Sequence, residues 1–104
     1  MTEKIRKKIV QRIIKNSLDI QILKLIQTKP TWGYKIKKKI EEKYGIKLRH
    51  GTLYPLLNML EQRGFLTSYK QSEKGRTRKI YKITEKGKSY LKTYNTILKE
   101  QIEQ

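Results

Sequence analysis

Asn58 and Gln62 stand four residues apart in the stretch HGTLYPLLNMLEQRGF, residues 50–65. On a helix that spacing stacks two side-chain amides on one face. A carboxamide offers a donor beside an acceptor, the pair that matches N6 and N7 of adenine in the major groove. Thr52 can reach a phosphate or a base edge, and Tyr54 can place its hydroxyl on a backbone phosphate while its ring packs inward. Arg49 and His50 precede them, at the positive end of such a helix, where phosphate is well accommodated. Taken alone, two polar amides are ordinary solvated helix residues. Their meaning depends on what presents them.

The charge balance points the same way. Lys and Arg number 26 against 9 Asp and Glu, a formal net charge of +17 over 104 residues. Such an excess repels itself in a compact chain and favours a polyanionic partner, nucleic acid first and an anionic membrane face second. Lys74, Gly75 and Arg76, with Arg78 and Lys79 just behind, form a second basic cluster. On a narrow hairpin tip they would enter or straddle a minor groove; as a plain turn they would only be solvated.

Several classes are excluded. Without cysteine there are no disulfides, thiolate zinc sites or cysteine nucleophile. His50 is the one histidine and has no carboxylate cluster to make a metal site or a triad; turn packing or a phosphate-facing position suits it better. There are no paired carboxylates, HExxH, phosphate loop or nucleophile–base couple, so no enzyme, cofactor or metal is expected. No apolar run approaches the ~20 residues of a membrane span, and no signal core follows the basic N-terminus. A cytoplasmic, nucleoid-associated protein with no membrane partner is expected.

The scaffold follows from periodicity. EKIRKKIVQRIIK, residues 3–15, spaces Ile5, Ile9 and Ile13 four apart, with Val10 and Ile14 widening the stripe. This basic amphipathic helix is expected to pack on the rest of the domain, a membrane-surface role being the alternative. Asn16 or Ser17 can cap a second helix, which buries Leu18, Ile22, Leu25 and Ile26 and stops at Lys29-Pro30. Thr31 is expected to cap a third, with Ile36 and Ile40 inward, Lys35, Lys37, Lys38 and Lys39 mostly outward, and Gly45 at its end.

In the fourth helix, residues 50–63, Leu53, Leu56, Leu57 and Leu60 fall within roughly 100° of arc. Gly51, Pro55, Asn58 and Gln62 lie opposite. Pro55 is therefore on the outer face, near a first turn whose amides have no helical acceptor to lose. FLTSYKQ and TRKIYKI read as strands joined by the loop SEKGR. Thr84 caps a last helix of about 28–30 Å, with Leu91, Tyr94, Leu98 and Ile102 on one side and Tyr90 and Ile97 beside them.

The expected fold class is mainly α with a small β hairpin (α+β), a winged helix-turn-helix with extra N-terminal and C-terminal helices. One domain over 1–104 is expected: a basic helix in 1–16, the winged core in 17–84, a dimerisation helix in 85–104. The last helix could fold back on its own domain, but a core this small hardly covers it, so a second copy is the expected partner. Trp32 is read as a packing residue, a place in a ligand pocket being the alternative.

Three stretches, TWGYKIKKKIEE, GTLYPLLNMLEQRGF and RKIYKITEKGKSYL, resemble in order and spacing the signatures of PadR-type transcriptional regulators. The likeness spans residues 17–92. It implies a winged-helix dimer whose C-terminal helix crosses the partner, and a repressor at a two-fold-symmetric operator. It puts Gly33 and Tyr34 at the start of the supporting helix, with Tyr34 near the DNA backbone. Thr52, Tyr54 and Pro55 would begin the recognition helix, and Lys74, Gly75 and Arg76 form the wing, with Tyr81 and Thr84 packing the second strand and capping the last helix. It also implies that a small aromatic effector could bind at the dimer interface. Two features depart from the pattern. Arg49 stands where a serine often caps the recognition helix, and the single helix after the wing resembles the short subfamily. The N-terminal helix lies outside the likeness and either braces the dimer or extends the DNA footprint.

The sequence thus favours a dimeric, sequence-specific regulator of double-stranded DNA through Tyr34, Lys38, the recognition helix and the wing. The rival is a protein that coats or bends DNA without choosing sequence, which the charge alone would suit.

Overall fold

A computed structural model describes residues 2–104. Helix α1 (Glu3–Lys15) is followed by α2 (Leu18–Thr28), the short strand β1 (Thr31–Trp32), α3 (Gly33–Tyr44) and α4 (His50–Gln62). A hairpin of β2 (Leu66–Glu73) and β3 (Arg76–Ile83) then leads to α5 (Glu85–Ile102). The three strands form one antiparallel sheet in the order β1-β3-β2. The expected α+β winged helix is the architecture found.

One apolar cluster draws on every helix. Ile20, Ile22, Leu23 and Ile26 of α2 lie at its centre, met by Ile36 and Ile40 of α3, Leu53, Leu57 and Leu60 of α4, and Leu91 of α5. Leu66, Tyr81 and Ile83 close it from the sheet. Burying these faces, more than helix propensity, is what holds elements this short.

Helix α1 departs from expectation in the face it buries. Ile14 is buried and Val10 packs on the core, but Ile5, Ile9 and Ile13 are 48%, 46% and 58% exposed. The helix is rotated so that Gln11, not the isoleucine stripe, reaches the neighbouring helix. Its Nε2 donates to the carbonyls of Tyr44 (3.3 Å) and Gly45 (3.1 Å), which α3 leaves without helical partners.

Two expected caps are also corrected. Asn16 closes α1, its side chain donating to the Arg12 carbonyl. Ser17 precedes α2 but caps no amide, because its hydroxyl is turned back to donate to Ile13 O at 2.7 Å. Thr31 does not cap α3: it lies in β1 opposite Tyr81, buried, and Trp32 takes the N-cap position. Thr84 does cap α5, accepting from Gly87 N–H at 3.0 Å while donating to Gly64 O at 2.6 Å.

Pro55 sits deeper than a first turn. Since α4 begins at His50, the missing amide falls in the second turn and leaves the Gly51 carbonyl without a helical donor. Both residues are exposed, so water can take that acceptor.

Candidate nucleic-acid interface

The turn between α3 and α4 aims the second helix. Gly45 takes the left-handed conformation (φ 66°), and buried Ile46 and Leu48 pin the turn to the core. Glu41 completes it: Oε2 accepts from the Leu48 amide at 2.7 Å, and Lys37 pairs with Oε1 at 3.5 Å. The Leu48 amide is the first cause that holds the Glu41 carboxyl below its usual range, with Lys37 adding to it. Sequence reasoning missed Glu41, since a carboxylate seven residues before its backbone partner has no helical signature.

Arg49 occupies the N-cap of α4 with no side-chain bond to a free amide, as the departure from serine suggested. Its carbonyl instead accepts from Thr52 and Leu53 N–H, each at 3.0 Å. Arg49, His50, Gly51, Thr52, Pro55, Asn58 and Gln62 are all exposed, while Leu53, Leu57 and Leu60 are buried beneath them. Tyr54 is half-buried, its ring stacked on His50 at 5.4 Å between centroids and 4° between planes.

The wing rises beside this helix. Strands β2 and β3 pair without interruption from Leu66↔Ile83 to Glu73↔Arg76, so the five-residue loop read from the sequence shrinks to Lys74-Gly75. Both have positive φ, 50° and 77°, the signature of a type I′ turn that suits the right-handed twist of a hairpin. Lys74, Gly75 and Arg76 are exposed at the tip.

Arg78 is not a free cation. Its guanidinium lies over the Trp32 ring at 3.9 Å and 4.0 Å from Glu73 Oε2, and the residue is half-buried. Trp32 is half-buried outside the apolar core, packed beneath Arg78. Its ring lies 5.5 Å from that of exposed Tyr34, over which Lys38 Nζ stands at 5.7 Å.

Between α4 and the hairpin runs an open groove of about 560 Å³, walled by Trp32, Gly33, Tyr54, Asn58, Arg76, Arg78, Lys79 and Tyr81. It brings Tyr54 and Asn58 of α4 together with Arg76 and Arg78 of β3. Tyr34, Lys38, Arg49, His50, Thr52, Pro55, Gln62, Lys74 and Gly75 lie outside its lining. Lys79, which sequence reasoning mentioned only in passing, is inside it. Lys79 Nζ pairs with Glu61 Oε1 at 3.0 Å, and Glu61 Oε2 accepts a short bond from the Ser68 hydroxyl. The Ser68 bond is the leading cause that lowers the Glu61 carboxyl; the Glu61 bond is the leading cause that raises Lys79. Burial raises the Tyr81 phenol behind them.

On α5 the expected interface divides. Ile97 is 52%, Leu98 45% and Ile102 75% exposed, and Tyr90 is 37% exposed with its ring 4.4 Å from that of Phe65. Tyr94 is half-buried against the core. Leu91 is corrected: at 3% exposure it belongs to the chain's own core, because the α5 face that meets α2 and β3 must close that core. No helix among the described residues is long and apolar enough to cross a membrane.

Comparison with known proteins extends these observations. The model of the transcriptional regulator PadR-like family matches residues 22–93. An uncharacterized protein of Lysinibacillus sphaericus is 35% identical over 82 residues, covering 76% of this chain and 75% of that protein. A transcriptional regulator of Mycobacterium tuberculosis is 36% identical over 58 residues, 56% of this chain and 54% of the other. Among solved structures, a PadR-like transcription factor from Bacteroides fragilis superposes with a TM-score of 0.78 at 30% identity, covering 92% and 93% of the two chains. A transcriptional regulator from Clostridium thermocellum gives 0.77 at 29% identity over 88% and 92%.

Proposed function

The chain belongs to the PadR-like family of transcriptional regulators, DNA-binding proteins and not enzymes, and from that premise we propose that it is a homodimeric repressor of a palindromic operator. The observation that carries the proposal is the exposed Asn58–Gln62 face of α4 beside a basic hairpin, with one groove between them. In this reading Asn58 and Gln62 meet base edges, and Thr52, Tyr54, Arg49 and His50 hold phosphates at the start of the helix. Tyr34 and Lys38 touch the flanking backbone, and Lys74 and Arg76 reach the minor groove. Arg78 is the weakest member of the set, because contact would require it to leave Trp32.

The functional division is residues 1–16 as a basic brace, 17–84 as the reading core and 85–104 as the dimerisation helix. Tyr90, Leu98 and Ile102, with Ile97, would face the partner copy. Two α4 helices roughly 34 Å apart would then enter successive major grooves on one side of the duplex. A small aromatic effector would have its place between the two copies, and the working compartment would be the cytoplasm.

Selection of bound duplexes from a random pool tests the proposal. A two-fold-symmetric consensus is expected. Recovery of unenriched sequence, with equal affinity for matched and scrambled duplex across salt, would instead establish the coating protein that the net charge alone would suit.

A further inference from the structure

We infer that Glu61 is a specificity-determining positioning residue: it fixes the angle of the wing against the recognition helix and withholds Lys79 from indiscriminate phosphate binding. The inference rests on the reading of α4 and the wing as the DNA-reading surface.

Glu61 lies three residues beyond Asn58, on a neighbouring strip of α4. Its carboxylate divides between the two wing strands, Oε1 to Lys79 on β3 and Oε2 to Ser68 on β2. A single side chain therefore ties the recognition helix to both strands. The attachment is at the hairpin's base: Ser68 pairs with Tyr81, and residues 70–77 beyond it are all exposed. Five residue steps along the ladder lead from that pair to Glu73↔Arg76. At about 3.4 Å per residue they make a lever of about 17 Å, so a tilt of about 10° at its base moves the tip by about 3 Å. That displacement exceeds the tolerance of a hydrogen-bonded contact.

The second half of the argument is electrostatic. With a net charge of +17, affinity for any phosphate backbone is already abundant. Another free lysine in the groove would strengthen every duplex alike and add nothing to the choice among them. Lys79 lines the same groove as Asn58 and Arg76, and Glu61 occupies its ammonium at 3.0 Å. Through Lys79 the carboxylate thus sets the overall affinity and its salt dependence, and through the wing angle it sets discrimination.

Three variants and their combination test this, using the full chain with the operator recovered by selection and a scrambled duplex, each over a salt series. Glu61→Gln keeps an acceptor for Ser68 but loses the ion pair. Its scrambled-duplex affinity should hold or rise, its salt slope should steepen by about 0.9, and its specificity ratio should fall by about tenfold, the size of one lost base contact. Ser68→Ala should lower the ratio with the slope unchanged. Lys79→Gln should leave the wild-type slope unchanged, yet in the Glu61→Gln background it should restore the slope without restoring the ratio. Parallel loss of both affinities in Glu61→Gln, or a thermal melt showing it unfolded while Ser68→Ala keeps the full ratio, would overturn the inference. A wild-type ratio near one would overturn the sequence-reading proposal and this inference with it. A large wild-type ratio retained by Glu61→Gln, at an unaltered slope, would overturn this inference alone.

Discussion

Tyr54 lies across Gly33, so close that a Cβ at Gly33 would stand 2.7 Å from the phenolic oxygen and 2.8 Å from Cε1. The first residue of α3 is small because a ring of α4 occupies the space a side chain would need. Gly33→Ala should therefore cost about 1–3 kcal/mol in urea unfolding, as overpacking does. In a Tyr54→Ala background the same change should cost clearly less. Additive costs would show that the two residues do not share that space.

The junction of wing and last helix is tighter still. A Cβ at Gly87 would overlap the Phe65 carbonyl oxygen and lie 2.7 Å from Ile83 Cγ1. Backbone cannot swing aside as a side-chain end can, so Gly87→Ala should destabilise by about 3 kcal/mol, more than Gly33→Ala. Thr84→Val, which deletes both the cap and the bond to Gly64, should cost about 1–2 kcal/mol. Thermal denaturation of the three variants ranks them.

Base reading and backbone binding separate by mutation. Asn58→Ala should lose about 1–3 kcal/mol of discrimination at one operator position and leave scrambled-duplex affinity intact. Arg76→Ala should weaken all duplexes alike and reduce the salt slope by about 0.9. Unchanged affinity of both variants for both duplexes would remove these residues from the interface.

Glu41 sets a pH dependence with a definite sign. Its carboxyl is held below the ordinary value of 4.5, chiefly by the Leu48 amide. A lowered folded-state pKa stabilises above the unfolded value, and the stabilisation disappears as pH falls through the lowered one. Glu41→Gln should therefore be less stable than wild type at neutral pH, with the difference closing under acid. A constant difference down to about pH 2 would contradict the assignment.

The α5 face makes a prediction about assembly. Leu98 is 45% exposed and Leu91 is 3% exposed on the same helix. Leu98→Glu should shift sedimentation from dimer to monomer without loss of helical signal. Leu91→Ala should lower the melting temperature of the protomer itself, a core truncation of about 2–5 kcal/mol.

The elements readable from sequence were those whose faces repeat. The leucines of 53–60, the glycine end at 45 and the Thr84 cap are local patterns, and each lies where the pattern puts it. The exposed amide face of α4 was legible for the same reason. Long-range pairings were not. Nothing adjacent to Glu41, Glu61 or Lys79 names their partners, and Arg78 reads as a free cation until β1 brings Trp32 beneath it. The isoleucines of α1 misled in part: Val10 and Ile14 meet the core, while Ile5, Ile9 and Ile13, at the same spacing, stay exposed.

Gln11 carries a consequence for anyone trimming this chain. Residues 22–93 bear the family likeness, yet the two carbonyls at the end of α3 are satisfied from residue 11. An excised fragment limited to that span would lose this donor and, with it, Ile14 and Ile20 from the core. The smallest autonomous module is thus larger than its recognisable part, and the leading helix is a keystone, not a handle.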